Sequence, residues 1–294
     1  MQLELKCGGA KGIVDTHGGE LISFKNKEGK EYIWNGDPAY WTGRNPNLFP
    51  VVGNLKDGKV MIKESVYEMG RHGFARNSEF TVADHGESYV VFELCETEET
   101  LKRYPYKFSF RIEHRLTEQG FSTEYRVKNT GDEVLPYCVG AHTAFNCPMN
   151  AGERFEDYVL EFEEEEDAPT QLLTAKGLFQ NGDTEPMLSG KILSLDHSVY
   201  ARLDTVVFRE LKSNTVSLKH KETGCGVQME FEQFPMIAFW TKGAEKAPYI
   251  CLEPWHGCAA YDNETGDILD KPYVICLEPG ESKSLKYTVK ELKG

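Results

Sequence analysis

Tyr106-Lys107-Phe108-Ser109-Phe110-Arg111-Ile112-Glu113-His114-Arg115-Leu116 alternates almost without fault between apolar and polar side chains. The pattern breaks at Glu118-Gln119-Gly120 and resumes in Phe121-Ser122-Thr123-Glu124-Tyr125-Arg126-Val127. Successive Cβ atoms of a strand point to opposite faces, so a period of two marks a strand with one buried face. Two such runs around a glycine turn predict a long antiparallel hairpin. On both sides of it, Gly and Pro interrupt segments rich in Val, Ile, Phe and Tyr. Further strands are predicted over 20–25, 31–34, 59–63, 66–69, 88–95, 134–139, 158–163, 206–210, 214–220, 226–232, 236–240, 249–253, 273–277 and 284–290. Helix signals are poor; Glu98-Glu99-Thr100-Leu101-Lys102-Arg103 fits a short helix ended by Pro105. The fold class is therefore all-β. So many strands suit a large two-sheet sandwich better than a closed eight-stranded barrel.

No linker divides the chain, and residues 1–294 are expected to form a single domain. The acidic run Glu161-Phe162-Glu163-Glu164-Glu165-Glu166-Asp167 reads as a solvated strand end and loop. Residues 164–200 look irregular and are expected to leave the sandwich as a rim over a cleft. With 33 Lys and Arg against 47 Asp and Glu, the net charge is −14. Nucleic acid and anionic membrane surfaces both call for basic patches, so neither is an expected partner. A small pocket with two or three arginines would still suffice for one phosphate. No run approaches the roughly 18 apolar residues of a membrane helix, and Met1-Gln2-Leu3-Glu4-Leu5-Lys6 lacks the order of a signal peptide. Eight scattered cysteines with no CxxC pair fit buried, reduced thiols of a cytoplasmic protein.

Four stretches carry residue types suited to chemistry. Gly43-Arg44-Asn45-Pro46-Asn47-Leu48-Phe49-Pro50-Val51-Val52-Gly53 holds donors on an irregular backbone, fit for hydroxyls or a phosphate, or equally for an ordinary surface loop. Gly70-Arg71-His72-Gly73-Phe74-Ala75-Arg76-Asn77 sets a histidine between two arginines, which would keep its ring neutral, though a plain surface loop has the same look. Val139-Gly140-Ala141-His142-Thr143-Ala144-Phe145-Asn146-Cys147-Pro148 gives His142 small neighbours and room for a ligand, or else a core histidine tied to a carbonyl. In Tyr249-Ile250-Cys251-Leu252-Glu253-Pro254-Trp255-His256-Gly257, a carboxylate beside an indole would be partly desolvated, its pKa moving toward that of a general base. The pentapeptide Ile-Cys-Leu-Glu-Pro occurs again at 275–279, but there Glu278 precedes Pro279-Gly280-Glu281-Ser282, ordinary exposed turn chemistry, so Glu253 is preferred. There is no GxSxG elbow, P-loop or GxGxxG. A metal site from His72, His142, Glu253 and His256 matches no local ligand spacing, and no metal is expected.

Taken in order, these stretches resemble the aldose 1-epimerase (galactose mutarotase-like) superfamily, in particular its LacX-type branch and the related hexose-6-phosphate epimerases. The resemblance runs from Gly18-Gly19-Glu20-Leu21 and Glu31-Tyr32-Ile33-Trp34 through Trp41, Phe49-Pro50, His72-Gly73-Phe74-Ala75-Arg76, Tyr104-Pro105-Tyr106, Gly140-Ala141-His142 and Asn146 to Asp204 and Glu253-Pro254-Trp255. It implies a large antiparallel β-supersandwich with a shallow carbohydrate cleft and no cofactor. By motif, Glu253 resembles the general base, His142 the general acid and His72 the second pocket histidine. Arg44 and Arg76 resemble substrate-binding positions, and Asp204 a hydroxyl-binding aspartate. The expected partner is a small-molecule sugar or sugar phosphate, bound by a monomer or weak dimer.

The implied reaction takes a proton from the anomeric O1 hydroxyl and delivers one to the ring O5. The C1–O5 bond opens, the aldehyde turns, and the ring closes on its other face. One acid and one base are required, expected on opposite sides of the ring. Around His72 the sequence looks like the phosphosugar version, which raises a hexose 6-phosphate beside free aldoses, with Arg44, Arg71 or Arg76 near the phosphate. A non-catalytic carbohydrate-binding protein on the same fold is the alternative. A hydrolase would want paired carboxylates, and only Glu253 presents itself.

Overall fold

The structure, a computed structural model, describes residues 1–294. Phe108–Thr117 pairs antiparallel with Gly120–Asn129, as the alternation predicts. Phe108, Phe110, Ile112, His114 and Leu116 are buried, and the side chains between them turn outward. This hairpin belongs to a nine-stranded sheet whose central strand is Ser282–Lys293. On one side lie Gly120–Asn129, Phe108–Thr117, Tyr89–Cys95 and Thr81–His85; on the other lie Cys225–Glu230, Thr215–His220, Tyr158–Phe162 and Ile192–Ser194. All neighbours are antiparallel.

A six-stranded sheet holds Thr205–Arg209, Met236–Trp240, Tyr249–His256, Val139–Ala141 and Asn47–Leu48, with Thr143–Asn146 also paired to Tyr249–His256. Its inward side chains, among them Val206, Phe208, Ile237, Phe239, Ile250 and Leu252, join Phe110, Tyr125 and Leu218 of the larger sheet in one core. Burial of that apolar surface is the main force holding the layers together. The alternate side chains of the smaller sheet, Thr205, Val207, Trp240, Glu253 and Trp255, point away from this core and line a hollow. The period of two thus sorts core from site.

Several expectations need correction. Gln2–Cys7 and Ala10–Asp15 form strands that were not predicted, since Leu5 is the one buried side chain of the first and Gly and Lys interrupt the second. Residues 31–34 form isolated bridges, Lys25 to Glu31 and Ile33 to Phe145, because the segment runs between sheets. The stretch 134–139 divides: Leu135–Tyr137 pairs with Ile275–Leu277, whereas Val139–Ala141 enters the six-stranded sheet. Residues 164–200 include a hairpin of Thr170–Leu173 with Phe179–Glu185 and a helix, His197–Leu203, started by Asp196, whose carboxylate accepts from Ser198 N at 2.8 Å. Glu166 in the acidic run is buried, and its carboxylate accepts from Ser213 N at 2.7 Å. All eight cysteines are free; Cys138, Cys147, Cys251 and Cys258 are buried, but Cys95 and Cys276 are exposed. No helix is long and apolar enough to cross a membrane.

Candidate active site

Tyr249–His256 pairs with Val139–Ala141 through Gly140 opposite Trp255, and with Thr143–Asn146 through Thr143 opposite Leu252. Both ladders share one register, which sets His142 opposite Glu253. Regular pairing lapses at that point, where Pro254 has no N–H to give. His142 Nε2 lies 3.3 Å from Glu253 Oε2, with the side chains 9% and 1% exposed. The expectation of acid and base on opposite sides of a sugar ring is thereby corrected. The two side chains stand next to each other, with no room for a sugar ring between them.

Burial pushes the Glu253 carboxyl well above the usual carboxylate range, while Arg71 and Arg76 pull against it. Burial likewise holds His142 well below the ordinary imidazole value, helped by Arg76 and Arg71. Both shifts favour the neutral forms, so the pair carries one proton between two acceptor sites. His142 Nδ1, Glu253 Oε2 and Trp255 Nε1 are buried without a hydrogen-bond partner. Unsatisfied buried groups gathered in one place are the mark of a ligand site rather than a core.

His72 completes the cluster, its ring 5.6 Å from that of His142 and nearly perpendicular to it. The backbone N–H of Gly53 donates to His72 Nδ1 at 3.0 Å, and the His72 N–H donates back to the Gly53 carbonyl at 3.0 Å. A ring that accepts at Nδ1 and is held neutral by burial carries its proton on Nε2. His72 is a fixed hydrogen-bond donor. The loop is tight: at Gly73, with φ of 74°, a Cβ would sit 2.2 Å from the Phe49 carbonyl oxygen. The hollow around these groups measures about 300 Å³, and Trp41, Trp240 and Trp255 supply indole faces. Trp41 lies over His142 with ring centres 4.9 Å apart. That volume stands at the small end of the roughly 300–1,000 Å³ usual for small-molecule sites.

The other predicted site residues divide. Arg71 and Arg76 line the hollow with His72, His142 and Glu253. Arg44 does not: its Nη1 turns to the Ile22 carbonyl at 3.4 Å. Asn45 and Asn47 of the same loop are buried, Asn45 Oδ1 accepting from Thr143 and Asn47 Oδ1 from Tyr125, so this stretch braces the core instead of offering donors. Asp204 belongs to an adjoining hollow and accepts from Trp240 Nε1 at 3.3 Å and from Thr205 Oγ1 at 2.9 Å. The metal grouping with His256 does not assemble, since His256 Nδ1 bonds the Tyr273 carbonyl at 2.8 Å. His142, Cys251 and Glu253 do bring ligand atoms within 4.8 Å of one another. Burial raises the Cys251 thiol far above its ordinary value, and the two arginines disfavour a cation there, so the trio is ill suited to a metal. Trp240 and Lys242 escaped the sequence reading, and Trp41 entered it only as part of the resemblance, with no role; for Trp240 the signal was its parity on the strand 236–240.

The profile of the aldose 1-epimerase family matches residues 1–290. The plasmid-encoded LacX protein of Lactococcus lactis subsp. lactis is 36% identical over 297 residues, spanning 98% of this chain and 99% of that protein. A protein of Cenchrus ciliaris described as a candidate glucose-6-phosphate 1-epimerase is 26% identical over 150 residues, 45% of this chain and 42% of its own. The crystal structure of a galactose mutarotase related enzyme from Lactobacillus acidophilus superposes with a TM-score of 0.93 at 29% identity, covering 99% of this chain and 97% of the other. On this agreement of sequence and fold, the chain belongs to the aldose 1-epimerase family.

Proposed function

We propose that this protein is an aldose 1-epimerase that interconverts the α and β anomers of a hexose or hexose 6-phosphate by acid–base ring opening. The observation that carries the reading is the His142–Glu253 pair, 3.3 Å apart and buried at the wall of a sugar-sized hollow. The carboxylate of Glu253 takes the O1 proton while the His142 imidazolium protonates O5. Closure on the other face runs the transfers backwards, so the pair ends with the one proton it began with. Burial opposes the charge-separated form, and the positive field of Arg71 and Arg76 favours the carboxylate while disfavouring the imidazolium. His72 donates from Nε2 to the sugar and holds its orientation. Each proton-transfer group contributes about 10²–10⁴-fold.

Arg71, Arg76 and Lys242 around the same hollow favour an anionic substituent, and support a 6-phosphate as strongly as a free sugar. Every group invoked comes from one chain, so a monomer suffices, and we take residues 1–294 as one domain. The test is anomer exchange followed by NMR with freshly dissolved α-glucose, α-galactose and their 6-phosphates. Exchange faster than in buffer, abolished in Glu253→Gln, is the expected result; buffer rates with every sugar would overturn the reading. Sugar binding by calorimetry without exchange would instead favour the non-catalytic carbohydrate-binding protein.

A further inference from the structure

Proton delivery to O5 needs a positive charge on His142, and most of the surroundings oppose one. Burial and the fields of Arg76 and Arg71 all press toward the neutral ring. His72 brings no counter-charge, since burial keeps it neutral and its Nδ1 accepts from Gly53 N. The Cys251 thiol, within 4.8 Å of donor atoms of His142 and Glu253, is kept protonated by burial as well. His142 Nδ1 has no hydrogen-bond partner. Glu253 is the one carboxylate within ion-pair distance, and it ceases to be a counter-charge as it takes the O1 proton.

Trp41 supplies what is missing. Its indole lies over the imidazole with ring centres 4.9 Å apart and planes 32° from parallel, so an electron-rich face meets His142. A cation over a tryptophan face and within about 6 Å of its centre is attracted to the ring quadrupole, most strongly where water is excluded. His142 is buried, which meets that condition. The indole is also fixed from several sides. Trp34 Nε1 donates to the Trp41 carbonyl at 2.8 Å, and the Trp41 N–H donates to the Asp37 carbonyl at 2.9 Å. Tyr249 lies nearly parallel to the indole at 5.8 Å, and Trp240 stands across it at 5.2 Å. At Gly43 a Cβ would come within 2.3 Å of Trp41 Cζ2, so the backbone itself closes against the ring. The spacing between indole and imidazole is thus set by the fold.

We propose that Trp41 is a positioning residue for the acid: its indole face stabilises the imidazolium of His142, while Arg71 and Arg76 stabilise the carboxylate of Glu253. The charge-separated pair is then supported at each end by a different group. This role rests on the epimerase reading, and the experiment tells the two apart. Mono-, di- and trifluorotryptophan are placed at Trp41 alone by nonsense suppression, with Trp41→Leu beside them. Anomer exchange is followed by NMR with the sugar that the parent turns over fastest. Fluorine weakens the ring quadrupole that attracts the cation and hardly alters the shape of the side chain. The expected result is a kcat that falls with every fluorine added and by about tenfold in Trp41→Leu, the size of a desolvated cation–π contact. KM stays within about twofold throughout, because the sugar is held by other groups. A kcat indifferent to the fluorines in an active enzyme overturns the proposal and leaves the epimerase standing, with Trp41 only a packed wall. A loss that falls on KM alone overturns it too, and makes Trp41 a platform for the sugar. Buffer rates in the parent with every sugar overturn the epimerase reading, and the role of Trp41 with it.

Discussion

The pentapeptide Ile-Cys-Leu-Glu-Pro is written twice in this chain, at 250–254 and at 275–279, and the two copies do different work. In both, Ile and Leu are buried: Ile250 and Leu252 at 0%, Ile275 at 5% and Leu277 at 2% exposed. The alternate residues part company. Cys251 and Glu253 are buried; Cys276 and Glu278 are exposed. The first copy lies in an interior strand with neighbours on both sides and tryptophans over its outer face, and the second pairs only with Leu135–Tyr137. A strand covered on both faces forces its polar residues out of water, and one covered on a single face does not. The same five residues therefore yield a desolvated carboxylate in one place and an exposed one in the other.

The largest test of this contrast is catalytic. Glu253→Gln lowers kcat for anomer exchange by about 10²–10⁴-fold, and Glu278→Gln leaves it within about twofold; equal losses would erase the distinction. Next comes packing, measured by urea unfolding. Leu252→Ala costs about 3–5 kcal/mol and Leu277→Ala about 2 kcal/mol, the order following from the tighter enclosure of the interior strand.

A smaller effect lies in the pH dependence. Because burial raises Glu253 in the folded protein, the unfolded chain ionises first, from about pH 4.3 upward. The stabilising contribution of its neutral form is complete below that pH and is lost as the pH rises through the folded-state value. Glu253→Gln thus gains stability over the parent as the pH rises above about 4.3, read by urea unfolding at several pH values, while Glu278→Gln tracks the parent. A difference independent of pH would break the account. The smallest effect is thiol access: Ellman's reagent modifies Cys276 and Cys95 in the folded protein and reaches Cys251 only on unfolding.

Much of the fold was legible because a one-sided strand writes its burial into every second residue. Phe108–Thr117 and Gly120–Asn129 announce themselves in this way. The strands that went unread lack the signal: Phe179–Glu185 is exposed along most of its length, and Gln2–Cys7 buries one residue. At the site, His142, Glu253, His72, Arg71 and Arg76 were found through their neighbours, and the structure gathers them about one hollow. Arg44 was misjudged because a Pro- and Asn-rich stretch looks the same whether it faces a ligand or braces a core. The contact between His142 and Glu253 depends on the register of strands some hundred residues apart, and no local pattern encodes register.

The place of Ser282–Lys293 at the middle of the nine-stranded sheet governs how the molecule comes together. Four strands drawn from residues 81–129 and four from residues 158–230 meet only through it, Gly120 pairing with Lys290 on one edge and Cys225 with Lys293 on the other. It is a keystone. Neither group of strands closes its ladder early, so assembly waits on pairings between remote residues and is correspondingly slow. Until the keystone is seated, two raw sheet edges face the solvent, and a second unfinished chain is as good a partner for them as the strand they await.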